Sequence, residues 1–192
     1  MRLLLVALLA AAPACVTTTT YVGSARPFAP AELHREPGWV AVQGVPVVKQ
    51  QSELDCGAAA IAMVVTYWTH EPSAPLLAEL RPVPEHGLEA GRLRDVARRR
   101  DLAAYLVRAR VADLERELAA GRPVLVGLVK PQVRGALTHY EVVVAFHRQK
   151  GIVVTLDPAL GWQQNQLSGF LAEWKPAANL ALVVVGRDHG AG

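Results

Sequence analysis

The sequence predicts an α+β domain, with helices first and an antiparallel sheet after. Three observations carry this expectation. An Ala-rich apolar run follows Asp55-Cys56-Gly57, and two amphipathic stretches come after it. Beyond Pro123 the chain turns to short Val-rich runs broken by Gly151 and Pro158. At 192 residues, 52 % hydrophobic and 19 % charged, it has room for one packed core and lacks the marks of a disordered or fibrous chain.

The apolar run at 56–68 is too long and too rich in alanine for a strand and reads as a buried helix ending before Pro72. Asp55 or Ser52 is placed to cap it, and Gly57 to permit close packing after the turn. Residues 76–80 form a helical turn stopped by Pro82, and Pro82, Pro84 and Gly87 make a loop. Residues 88–100 carry Leu88, Leu93, Val96 and Ala97 on one face and arginines on the other, an amphipathic helix. Residues 102–107 read as a strand, and 111–120 as a helix that stops at Gly121. Strands follow at 123–129, 138–146 and 152–156, the last two a hairpin turned at Gln149-Lys150-Gly151. A short helix at 167–174 and a strand at 180–185 complete the pattern. Residues 40–48, broken by Gly44 and Pro46, suggest short extended pieces leading into the first helix.

The N-terminus reads separately. Met1-Arg2 precedes an apolar run at 3–12 and then Pro13-Ala14-Cys15, the layout of a secretory signal peptide over 1–14. The run is shorter than the about 20 apolar residues a membrane-spanning helix takes. A cysteine directly after small residues resembles the lipobox of bacterial lipoproteins. That resemblance implies lipid on Cys15, export, and anchoring to a bacterial membrane, the outer one favoured, with the domain facing the periplasm. Ala12 stands where such signals usually have leucine, so plain cleavage after Ala14 is the alternative. Residues 15–38, rich in Thr and Pro, read as a flexible tether, 39–187 as the domain and 188–192 as a tail.

The net charge of +3 is modest. The arginines at 92–94 and 98–100 suit the wet face of a helix, and no aromatics alternate with them, so nucleic acid is not an expected partner. The chain has two cysteines. If Cys15 carries lipid, Cys56 is a lone thiol in an oxidising compartment; otherwise the two could pair.

Cys56 opens the predicted buried helix, where unpaired N–H groups and the positive dipole end favour a thiolate. On position alone it is equally well a small buried hydrophobe. His139 begins one strand of the predicted hairpin and Asp157 ends the other, so pairing would set them side by side at one rim. A carboxylate on one imidazole nitrogen fixes the tautomer and frees the other nitrogen as a base. Taken singly, Asp157-Pro158 could merely start a turn and His139 merely end a loop. His147 falls on the same side of that strand by alternation, at its far end. His34, His70, His86 and His189 lie in loops or termini and read as solvated, and no spacing matches a metal site. No metal or cofactor is expected.

Gln50-x4-Asp55-Cys56-Gly57, followed by an Ala-rich helix ending Tyr67-Trp68, resembles the bacteriocin-processing cysteine peptidases, papain-like domains that cut after double-glycine leaders. The likeness continues in Thr138-His139-Tyr140-x-Val142-Val143-Val144 and Leu156-Asp157-Pro158-Ala159-x-Gly161-Trp162, and spans roughly residues 45–185. It implies a papain-like fold, a nucleophile helix packed on a C-terminal antiparallel sheet. It also implies Cys56 as nucleophile, His139 as base and then acid, Asp157 as its orienter, and Gln50 with the Cys56 N–H as oxyanion hole. Gln51 competes with Gln50 for that role. Many members are the front end of an ABC exporter, whereas this chain shows no transmembrane run or nucleotide motif. The expected activity is therefore a membrane-anchored cysteine peptidase acting on an exported protein or peptide, with secretion or assembly machinery as partner. A catalytically silent peptide-binding domain, or an amidase or transpeptidase on envelope substrates, are the alternatives.

Overall fold

A computed structural model describes residues 25–80, 87–132 and 135–186. The first helix, α1 (Cys56–Thr69), is the hub, with residues 56–65 all buried. Alanines at 58, 59, 60 and 62 let strands approach its axis closely, while Ile61 and Met63 are fully buried. Each of those two large side chains contributes about 1.5–3 kcal/mol by leaving water. The expected side-chain cap is absent: the Asp55 carboxylate turns back and accepts the Ser52 N–H at 2.8 Å. That bond closes a tight turn which presents Cys56 at the helix start. At the other end His70 adopts a left-handed conformation, φ 59°, and stops the helix.

Two short helices follow, α2 (Ser73–Glu79) and α3 (Ala90–Arg98). Leu93, Val96 and Ala97 are the buried face of α3, as its periodicity predicts. Its arginines are surface groups: Arg99 and Arg100 reach Glu79, and Arg98 donates to the Ala104 carbonyl. The prolines of the expected loop, Pro82 and Pro84, lie outside the described residues. A fourth helix, α4 (Val111–Ala119), follows, and Gly121 (φ 70°) comes just after its end.

Among the described residues eight strands form one antiparallel sheet. They are β1 (Arg26–Pro27), β2 (Trp39–Ala41), β3 (Ala103–Arg108), β4 (Val124–Gln132), β5 (Gly135–His147), β6 (Ile152–Asp157), β7 (Gly161–Gln166) and β8 (Leu180–Val185). Their order is β1-β7-β6-β5-β4-β8-β3, with β2 also on β5. Strand β5 is central: β4 pairs with its residues 135–143 and β2 with 145–147. The helix α5 (Leu167–Trp174) lies between β7 and β8 in sequence and buries Phe170 and Trp174.

Three sequence expectations change. The packed chain starts earlier than Trp39, since β1 pairs with β7 and Phe28 is buried against Trp39, ring centroids 5.5 Å apart. The described part of the supposed tether is thus part of the fold, because its one aromatic finds a pocket. Strand β7 has no counterpart in the sequence pattern, because Gln163, Gln164 and Asn165 are buried polar residues and give no apolar alternation. Finally, the β5–β6 register shifts between Val143 and Ala145, a bulge that breaks the alternation linking His139 to His147.

Candidate active site

Cys56 is the first residue of α1, buried, and a free thiol. The backbone N–H groups of a first helical turn have no partners within the helix, so its positive end faces the sulfur. Gly57 has a packing reason to be glycine. A Cβ there would stand 3.3 Å from both the Leu88 Cβ and the Tyr140 Cδ2. Its absence lets the tyrosine ring of β5 lie on the first turn of α1, which brings the neighbouring His139 to the cysteine. Burial, followed by the charges at Cys56 and Glu89, pushes the Tyr140 phenol up to about 12.

The hairpin of β5 and β6 does what its sequence predicts. Val142 faces Leu156, so one step further along the ladder Asp157, at the end of β6, comes level with Glu141. His139 lies within β5 and not at its start, because pairing with β4 carries the strand back past the expected residue 138 to Gly135. His139 Nε2 lies 3.1 Å from Asp157 Oδ1. Asp157 is wholly buried, and the same Oδ1 accepts the backbone N–H groups of Ala159 at 2.6 Å and Leu160 at 3.3 Å. Burial alone would drive the His139 pKa down. Hydrogen bonds to Asp157 and to the Cys56 side chain outweigh it and raise the pKa to about 10. With Nε2 engaged by Asp157, Nδ1 is the nitrogen left for Cys56. The imidazole thus stands between the thiol and the carboxylate.

Gln50 and Gln51 are also separated. The Gln50 N–H donates to the Pro158 carbonyl at 3.0 Å, and its side-chain Oε1 is buried without a hydrogen-bond partner. Gln51 is exposed. Both border a cavity of about 100 Å³ together with Lys49, Asp55, Ala58, Ala59, Leu77 and Leu80. Lys49 donates to the Ala159 carbonyl at 3.0 Å, so the segments on either side of the site are laced together.

Sequence reasoning missed Lys130, Glu141 and Glu173, which are buried behind His139. The available signal was a lone charge inside each of the apolar runs Val129-Lys130 and Tyr140-Glu141-Val142. His147 is buried too, its ring 5.0 Å from that of Trp39, and plays no part at the site. His34 and His70 are exposed, as expected. Cys15, His86 and His189 lie outside the described residues. Ligand atoms of His139, Glu141 and Asp157 come within 4.8 Å of one another. A cation there would meet the Lys130 ammonium, already 2.9 Å from Glu141 Oε1, and compete with the donors on Asp157. The arrangement suits an imidazolium better than a metal ion.

The chain is similar in fold to a double-glycine-motif protease from an AMS/PCAT transporter, crystallised with its leader peptide. The two share 21 % identity and a TM-score of 0.60 over 77 % of this chain and 95 % of that one. It is similar as well to the peptidase domain of Streptococcus ComA, a bi-functional ABC transporter involved in a quorum-sensing pathway. There the identity is 23 % and the TM-score 0.61, over 75 % of this chain and all (100 %) of the other. No curated protein sequence matches significantly. The family model of the peptidase C39 family matches residues 44–186, a span that holds Gln50, Cys56, His139 and Asp157. The α+β fold, a buried helix packed on an antiparallel sheet, is similar to that of these peptidases. The chain belongs to the peptidase C39 family, and is a cysteine peptidase by that membership.

Proposed function

We propose that the chain hydrolyses peptide bonds of an exported protein or peptide through Cys56, His139, Asp157 and Gln50, while held to a membrane by lipid on Cys15. The observation that carries the chemistry is His139 placed between Cys56 and the buried Asp157. The Cys56 sulfur attacks the scissile carbonyl carbon as a thiolate, with His139 as imidazolium beside it. The developing oxyanion is received by the Gln50 side-chain amide and the Cys56 backbone N–H. His139 gives its Nδ1 proton to the leaving amine, and a thioester remains on Cys56. Neutral His139 then takes a proton from water, whose oxygen attacks the thioester and releases the acid. Asp157 keeps the ring oriented and its Nε2 proton in place throughout.

What supports a peptide substrate is the similar transporter protease, which was crystallised with a leader peptide. The leader at 1–14 and Cys15 support export and anchoring. In the test, the chain and its Cys56→Ala variant are incubated with double-glycine leader peptides and with envelope proteins, and new termini are read by mass spectrometry. Cleavage by the wild type alone, with an acyl adduct on Cys56, is the expected result. An adduct that only an added amine resolves would make the protein a transpeptidase, and no adduct with any substrate would make it a peptide-binding domain. Mass analysis of the membrane-bound form tests lipid on Cys15 separately.

A further inference from the structure

Behind His139 three charged side chains lie in the core: Lys130 on β4, Glu141 on β5 and Glu173 on α5, each no more than 1 % exposed. The Lys130 Nζ is 2.5 Å from Glu173 Oε2 and 2.9 Å from Glu141 Oε1. That same Glu141 oxygen is 4.0 Å from His139 Nε2, the nitrogen already bonded to Asp157. His139 and Glu141 are two residues apart on one strand and so share a side, while Tyr140 between them turns to Gly57. A chain of buried charges therefore runs Glu173, Lys130, Glu141, His139, and meets Asp157 and Cys56 at its end. Stability alone does not account for it, because apolar side chains of similar volume commonly hold a core as well as a buried ion triad.

We propose that Glu141, held in place by Lys130 and Glu173, is a positioning residue for His139, a second carboxylate that keeps its imidazolium charged and its Nε2 edge turned away from Cys56. The inference rests on the peptidase reading of Cys56 and His139. Lys130 clamps the Glu141 oxygen outside hydrogen-bond distance of the ring, so Asp157 keeps the direct bond and Glu141 acts through the field. The charged groups around His139 are Cys56 from α1, Asp157 from β6, Glu141 on its own strand, and Lys130 from β4 backed by Glu173 from α5. Burial raises the pKa of the Tyr140 phenol to about 12. Lys49 is directed at the Ala159 carbonyl.

The test is the His139 ring titration by NMR in the full chain, with the pH profile of Cys56 alkylation by iodoacetamide beside it. Three variants are compared: Glu141→Gln, Glu141→Asp, and the apolar triple Lys130→Met, Glu141→Leu, Glu173→Leu. Loss of the Glu141 charge is expected to lower the His139 midpoint by about one pH unit, a tenfold change in its proton affinity, in Glu141→Gln and in the triple. Glu141→Asp should restore most of the shift. The triple keeps the test valid if Glu141→Gln fails to fold. An unshifted His139 midpoint in a folded triple overturns the proposal. If alkylation of His139→Ala, run beside them, matches that of the wild type, the peptidase reading fails while the ring titration still decides the role of Glu141.

Discussion

The backbone N–H of Gln50 donates to the carbonyl of Pro158 at 3.0 Å, so the residue placed six positions before Cys56 is fastened to the one that follows Asp157. One loop bond thereby ties the segment of the proposed oxyanion donor to that of the carboxylate proposed to orient the base. Lys49, which donates to the Ala159 carbonyl, repeats the link one residue further on each strand of the loop.

Gln50→Ala leaves that backbone bond intact and removes only the side chain. Turnover of a peptide substrate should fall about 10²–10³-fold, the usual cost of one oxyanion donor, with little change in KM. Gln51→Ala, at an exposed position, should behave as wild type. The reverse pattern would move the oxyanion hole to Gln51.

Asp157→Asn keeps an oxygen for the Ala159 and Leu160 N–H groups but loses the charge beside Nε2. Activity should drop about 10- to 10³-fold, less than for His139→Ala, since papain-like enzymes work with a neutral asparagine in this role. Activity equal to wild type would remove Asp157 from the site.

Gly57→Ala puts a methyl group 3.3 Å from Leu88 and Tyr140. Both neighbours are buried and have little room to retreat, so stability should fall by about 1–3 kcal/mol in denaturant unfolding. Tyr140→Ala combined with Gly57→Ala should cost less than the sum of the two, because the pair then no longer collides.

The pH dependence of stability carries a definite sign. The pKa of His139 is raised from 6.5 to about 10 in the folded chain, so the native state holds the proton more tightly than the unfolded one. This contribution is fully present below about pH 6.5 and is lost as the pH rises through about 10. The stability advantage of wild type over His139→Gln should therefore shrink across that window, as read from unfolding midpoints at each pH. A constant difference would mean that His139 is not protonated in the native state.

Much of this site was legible in the sequence. Cys56 at a helix start, and His139 and Asp157 brought together by one hairpin, follow from Gly, Pro and Val patterning. The start of β5 does not, since pairing with β4 carries it back to Gly135. The helix at 167–174 and the last strand at 180–185 were likewise bounded by plain apolar patterning and fall where expected. Strand β7 was not legible, since its Gln163, Gln164 and Asn165 are buried by tertiary packing that pattern reasoning cannot see. Nor was the Lys130–Glu141–Glu173 cluster, because what joins a lysine on β4 to a glutamate on α5 is the closure of the fold and not any spacing along the chain. Phe28 was lost for the opposite reason, one aromatic in a Pro-rich stretch being too weak a signal to outweigh its surroundings.

The most direct test of the central claim, that His139 activates Cys56, is the rate of Cys56 alkylation by iodoacetamide at pH 6 in the wild type and in His139→Ala. The account predicts a wild-type rate at least about tenfold higher, because a paired imidazolium holds the sulfur as the reactive thiolate at a pH where an ordinary thiol is protonated. Equal, slow rates in the two proteins would contradict it.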